Sequence, residues 1–179
     1  MKKILLCLSF FSCLAFAQEQ PSSSDIKQNE LSINLPISIF GEFPTLTYER
    51  LSSPDFGFGA SAGFAASDNG LGSDLNFEVV PFARWYFLNT GNETIYGKKF
   101  FIEANAGILG INDENYNESS NRYESDNKIG FGLGLGIGYK YVNTSNWIGS
   151  IYIGGGKNFG SSNNIEAYPH MGINIGKRF

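Results

Sequence analysis

The stretch IGFGLGLGIGYKY, Ile129 to Tyr141, places glycine at 130, 132, 134, 136 and 138 and a large apolar residue at each position between them. A period of two is the signature of a β-strand, whose successive side chains point to opposite faces. Two other structures use glycine this densely. A phosphate-cradling G-x-G-x-x-G turn requires glycine at 130, 132 and 135, and position 135 is leucine. A membrane helix with a small-xxx-small face finds Gly130, Gly134 and Gly138. Its apolar run, however, is bounded by Lys128 and Lys140, well short of the ~20 residues a spanning helix needs. Glycine at 132 and 136 would also wrap that helix in bare backbone, at about 1 kcal/mol each relative to alanine. The stretch therefore reads as a strand with one apolar face and one face without side chains.

The same period runs through most of the chain. LSINLPISI, from Leu31 to Ile39, alternates Leu31, Ile33, Leu35, Ile37 and Ile39 with polar residues, and Pro36 marks a break or bulge in that strand. Further alternating segments follow at 45–52, 56–64, 74–88, 99–109, 129–141, 147–159 and from Met171 to Phe179. None carries a helical period. Eight strands of roughly ten residues are even in number and long enough to cross a bilayer at a tilt. One face is mostly Gly, Ser and Asn, which suits a narrow interior, while the other is continuously apolar, which suits lipid. A soluble lipocalin-like barrel, the structural alternative, needs the reverse register. The predicted fold is all-β, an eight-stranded antiparallel up-and-down transmembrane β-barrel over residues 31–179.

The aromatic residues sort to the strand ends. With both chain ends on the periplasmic side, the lipid-facing register there contains Trp85, Phe87, Phe100, Tyr139, Tyr141, Trp147 and Phe179. Phe64, Phe77 and Phe131 fall at the opposite end, with Phe40 and Phe43 in the first loop. Two aromatic belts around an aliphatic band are what the two interfaces of a membrane select. The N-terminus agrees. Lys2 and Lys3, the apolar run Ile4–Phe16 and the Ala15-Phe16-Ala17 site form a signal peptide over 1–17, followed by a polar leader over 18–30.

The inner register carries a cluster of charges, Glu49, Arg84, Glu103, Lys140 and Arg178, all near the periplasmic end. Oppositely charged groups in a narrow lumen are expected to pair, because an isolated buried charge costs several kcal/mol. The plain reading is a salt-bridge plug, and the functional alternative is an ion path through it. Phe82, Tyr86, Phe101 and Tyr152, on the same register, supply the bulk for which the bare glycine face leaves room. His170, the single histidine, also falls on the inner register, where Glu78 is its expected partner. It has no serine two residues on and faces away from lipid, so a catalytic role has little to work with.

The predicted loop Gly110–Asn127 places Asp113, Asn115, Asn117 and Glu124 at calcium-loop spacing. Glu118 stands where that motif needs glycine, and a solvated surface loop is the competing reading. Both cysteines, Cys7 and Cys13, lie in the signal, so the mature chain has no thiol chemistry. A formal net charge of −4, more negative once Lys2 and Lys3 are removed, argues against a nucleic-acid partner. No cofactor is indicated.

With the signal, the eight alternating strands, the belts and a terminal Phe179 preceded by Ile175, Ile173 and Met171, the chain resembles the eight-stranded outer-membrane barrels of the OmpA/OmpX type. Lys177 departs from that pattern, standing where an apolar residue is usual. The resemblance implies location in the outer membrane of a Gram-negative bacterium as a monomeric, non-enzymatic barrel without a periplasmic domain. It also implies contact with outer-membrane lipid and lipopolysaccharide, and recognition of the C-terminal strand by the assembly machinery. The expected function is a structural or surface-interaction role through the extracellular loops. A narrow pore or small-solute carrier is the alternative, and a lipid-modifying enzyme a more distant one.

Overall fold

Alternation becomes hydrogen-bonded ladder in a computed structural model, which describes residues 27–66, 75–87, 97–117, 122–159 and 167–179, without the side chains of 112–117 and 122–127. Its elements are β1 (Asn29–Asn34), α1 (Leu35–Phe40), β2 (Thr45–Ser53), β3 (Phe56–Phe64), β4 (Leu75–Phe87), β5 (Lys99–Asn117), β6 (Arg122–Val142), β7 (Trp147–Asn158) and β8 (Ala167–Arg178). Every strand is antiparallel to its neighbours in sequence, and β1 pairs with β8, so the sheet closes as an eight-stranded up-and-down barrel. Closure leaves no open edge between first and last strands. The predicted signal peptide and most of the predicted leader lie outside the described residues.

The inside and outside registers are those the sequence predicts. Along β2 the pattern is strictly buried–exposed from Thr45 to Ser52, and along β8 it runs unbroken from Ala167 to Ile175. On β6, Ile129, Phe131, Leu133, Leu135 and Ile137 are between 49% and 71% exposed, while Gly130, Gly132 and Gly136 face inward. The molecule is thus inverted relative to a soluble domain. Its buried interior holds Glu, Arg, Lys, Asn, Ser and Thr beside a few aromatic and aliphatic side chains, and its outer surface is a sleeve of Ile, Leu and Phe.

Three segments depart from the sequence expectation. The first predicted strand stops at Asn34, and Leu35–Phe40 is a single turn and a half of helix with proline in its first turn. Proline has no N–H to give a ladder but fits the start of a helix, where that donor has no partner anyway. The apparent continuation of period two through Leu35, Ile37 and Ile39 is therefore accidental. At its other end β1 begins at Asn29, two residues inside the predicted leader, opposite Arg50 of β2. The third departure is larger. Of the predicted loop Gly110–Asn127, residues 110–117 and 122–127 are the distal part of the paired strands β5 and β6, in register from Gly110↔Ile129 through Asn117↔Arg122, and 118–121 lie outside the described residues. This part is mostly polar, so its sequence lacks the alternation that marks the other strands.

This hairpin makes the barrel oblique. β5 and β6 have 19 and 21 residues, whereas β1 has 6. Ladder pairing with β4 reaches Ile111, and pairing with β7 reaches Gly132. Six further residues of β5, 112–117, extend about 20 Å beyond that level at the rise of a strand. The start of β1 at Asn29, the C-terminal Phe179, the 54–55 turn and the 143–146 turn lie at the other end, called the terminus end below.

Candidate functional site

The interior charges meet at the terminus end of the lumen, and the ladder explains why. Arg84 and Glu103 are direct cross-strand neighbours on β4 and β5, and Arg84 Nε donates to Glu103 Oε2 at 2.8 Å. Glu30 and Arg178 are likewise neighbours on β1 and β8, with Arg178 Nε donating to Glu30 Oε1 at 2.8 Å. Glu30 is also directly opposite Glu49 on β2. Two like charges in that position destabilise a ladder. Lys140, reaching across from β6, resolves the conflict by donating from Nζ to Glu30 Oε2 at 2.6 Å and to Glu49 Oε2 at 2.8 Å.

One pair spans two strands. Arg84 on β4 donates from Nη1 to Glu49 Oε2 on β2 at 2.7 Å. The strand between them, β3, offers Gly57 and Gly59 at that level: Gly57 pairs with Arg84, and Gly59 pairs with Glu49. A Cβ on Gly57 would run into the Glu49 carboxylate. The bare backbone of β3 thus lets β2 and β4 touch inside the barrel. All five predicted cluster residues come together, each at most 3% exposed. The circuit runs Arg178, Glu30, Lys140, Glu49, Arg84, Glu103, and its three carboxylates and three cations balance.

Glu30 completes the circuit and was not among the predicted site residues, because it fell in the polar leader rather than a strand. Neighbouring side chains take up part of the remaining polar capacity. Tyr86 donates its hydroxyl to Glu49. The Arg84 guanidinium lies 4.1 Å from the ring centre of Phe82 and 4.5 Å from that of Phe101. Asn105 Nδ2 donates to Glu103 at 2.8 Å, and Tyr168 donates to Asn105 Oδ1 at 2.7 Å. Such pairing offsets most of the cost of burying the charges, since desolvation otherwise exceeds the Coulomb gain; Arg84 Nη2 alone within the circuit is buried with no hydrogen-bond partner among the described residues.

His170 faces the lumen, 4% exposed, with its ring centre 4.9 Å from that of Tyr152. Its Nε2 sits 3.0 Å from Glu103 Oε1 without the alignment of a hydrogen bond, so its near neighbour is Glu103 rather than the expected Glu78, which is half-buried. Above this level Leu109, Ile111 and Tyr168 form an apolar plug toward the hairpin end. The backbone of Asp113, Asn115, Asn117 and Glu124 runs in extended ladder, Asn115 opposite Glu124, and not in the loop that the calcium spacing supposes. Their side chains lie outside the described residues.

The predicted belt at the terminus end forms a connected band on the outer surface. Phe87 pairs with Phe100 and Phe100 with Tyr139, with ring centres 6.3 Å and 5.1 Å apart. Trp85 lies 5.9 Å from Phe87. Lys98 stands over Tyr141 at 5.9 Å and Lys177 over Trp147 at 5.8 Å. Trp85, Tyr141, Trp147 and Phe179 are about half exposed, and Phe87 is more covered than the rest. At the other end Phe64 pairs with Phe77, while Phe40 is 80% exposed on α1. Phe43 departs from the predicted outer position: it turns inward, 4% exposed, against Gly63.

No known family profile and no curated protein matches the chain. Among solved structures it is similar to the N-terminal β-barrel domain of Pseudomonas aeruginosa OprF, at 16% sequence identity and a TM-score of 0.46. That similarity covers 86% of this chain and 98% of the other.

Proposed function

We propose that the protein is an integral outer-membrane β-barrel of a Gram-negative envelope, non-enzymatic, with a structural or surface-interaction role carried by its hairpin end. One observation carries this reading: the apolar residues of the barrel point outward around the circumference. Ile33, Leu46, Phe58, Ile102, Leu135, Ile151 and Ile173, from seven different strands, are each more than 40% exposed. In water so large a contiguous apolar surface drives association. In lipid it is the required solvent match, and closure satisfies every backbone group that the bilayer cannot.

The aromatic band at the terminus end and the ring pair at the other end lie where two membrane interfaces would fall. The plugged interior supports a structural role over transport. Arg84, Tyr86, Phe101 and Lys140 fill the section and are each at most 1% exposed, as an eight-stranded barrel leaves only a side-chain-filled lumen. The β5–β6 hairpin, rising beyond its neighbours, is the part of the described chain best placed to meet a partner outside the membrane.

Membrane fractionation with gel migration before and after boiling tests the reading. Recovery in the outer-membrane fraction, with a fast-migrating unboiled band that shifts on heating, is the expected result. Recovery in the soluble periplasmic fraction would overturn it.

A further inference from the structure

The outer sleeve is interrupted on the β6–β7–β8 face. Gly155 lies on the outer register of β7, between Leu135 of β6 and Pro169 of β8, its direct ladder partners. With no side chain at 155, an open depression of about 840 Å³ forms, walled by Leu133 and Leu135 on one side and by Ala167 and Pro169 on the other. Leu133 and Leu135 are 53% and 68% exposed and form a raised apolar wall.

Lys157 stands at the hairpin-side rim of this depression, exposed, two residues beyond Gly155 on the same register. It is the one cation in an outer register that otherwise reads Trp147, Gly149, Ile151, Ile153, Gly155 and Phe159. Its height is informative. Ten residues separate it from Trp147, which corresponds to roughly 25 Å along the barrel axis for a strand tilted by ~40°. That is the thickness of the apolar band, so Lys157 reaches the far interface when Trp147 sits at the near one.

We infer that this depression is a lipid-binding groove that holds one acyl chain of a net anionic phospholipid from the hairpin-side leaflet, with Lys157 engaging the headgroup phosphate. A hydrocarbon chain in the slot touches both walls, which raises its dispersion contacts over those available on a flat sleeve. The lysine ammonium, on a flexible apolar stem, supplies the charge complement at the depth where headgroups begin. Zwitterionic lipids offer the same chain with a weaker partner for the lysine. The inference rests on the membrane reading above.

The test uses the full mature chain refolded into detergent and analysed by native mass spectrometry after addition of phosphatidylglycerol or phosphatidylcholine. The wild-type protein is expected to retain one phosphatidylglycerol in preference to phosphatidylcholine by about fivefold. Lys157→Gln, which leaves the walls intact, should remove the preference while retaining lipid. Gly155→Leu, which fills the slot from outside the barrel, should lose the retained lipid of either type. Equal retention of both headgroups by wild type, or a preference unchanged in Lys157→Gln, overturns the inference. A dimer abolished by Gly155→Leu, with no lipid retained, would instead assign the face to a second copy of the chain. The heat shift of the unboiled band is read on every variant, so a failure of the barrel itself is seen separately from a failure of the groove.

Discussion

Glu49 is the residue whose neutralisation tests the interior circuit most directly. It accepts from Arg84 at 2.7 Å, from Lys140 at 2.8 Å and from the Tyr86 hydroxyl, and it is 2% exposed. Glu49→Gln keeps shape and one acceptor oxygen but leaves two carboxylates against three cations in a water-poor lumen. It also turns an amide NH2 toward a site now occupied by donors. Breaking one partner of a buried pair is destabilising by about 3–5 kcal/mol. The lower end applies here, because Arg84 keeps Glu103 and Lys140 keeps Glu30. The expected loss is therefore about 3 kcal/mol, roughly a hundredfold in the folding equilibrium.

The circuit also dictates what a second substitution does. Arg84→Met alone removes two ion pairs and the contacts with Phe82 and Phe101, and leaves the acids in excess. Combined with Glu49→Gln it restores the balance at two carboxylates and two cations. The double variant should then be more stable than the sum of single effects allows, by about 2 kcal/mol. Urea titration of the refolded barrel in lipid vesicles, followed by tryptophan fluorescence and by the fraction of unboiled band, measures each corner of the cycle. A Glu49→Gln effect below about 1 kcal/mol, or strictly additive effects, would refute the claim that these charges act as one coupled network.

The other predictions concern packing and passage. A Cβ at 134 would lie 2.5 Å from Asn105 Oδ1 and 2.7 Å from the Gly155 carbonyl oxygen, so Gly134→Ala should lower stability by about 1–3 kcal/mol. Gly134→Leu should largely abolish the folded band. Gly136→Ala, whose nearest neighbour is 3.4 Å away, and the outward Leu133→Phe should fold as wild type on the same gel; four indistinguishable variants would overturn the inside–outside register. In planar bilayers the filled section at Arg84, Tyr86 and Phe101 predicts no sustained conductance at neutral pH, and a steady open level would restore the pore reading.

What the sequence made legible follows the contrast between the two faces of each strand. Where outward and inward residues differ in kind, as along Phe56–Phe64 and Ile129–Tyr141, period two specified strand and register together. Where that contrast disappears the signal goes with it. Residues 112–117 and 122–127 are mostly polar without alternation, and paired strand read as a loop. The opposite error arose at Leu35–Phe40, where alternation continued by chance past Asn34 although Pro36 had removed a ladder donor. The aromatic belt was legible because its residues share one register and one end. Phe43 was misplaced because outside a strand there is no register to say which way a ring points.

The charge cluster shows where local reading stops. Register and depth placed five of its residues on one face at one level, which is enough to expect pairing but not to say with whom. Partners depend on contacts that no segment contains by itself: β1 beside β8, Lys140 reaching across from β6, and Arg84 passing over the glycines of β3 to Glu49. Glu30 illustrates the point. Within Gln18–Glu30 it is one polar residue among many, and nothing nearby distinguishes it. Only when the barrel closes does it lie next to Arg178 on one side and Glu49 on the other, so that a residue read as leader becomes the third acid of a circuit with three buried cations. Closure therefore does more than remove two sheet edges. It brings the first and last strands together, and with them the charges at both ends of the chain, so the interior is electrically balanced only in the closed state. A barrel arrested before β1 meets β8 would hold Arg178 without Glu30 beside it, which gives the final pairing step an electrostatic drive in addition to its hydrogen bonds.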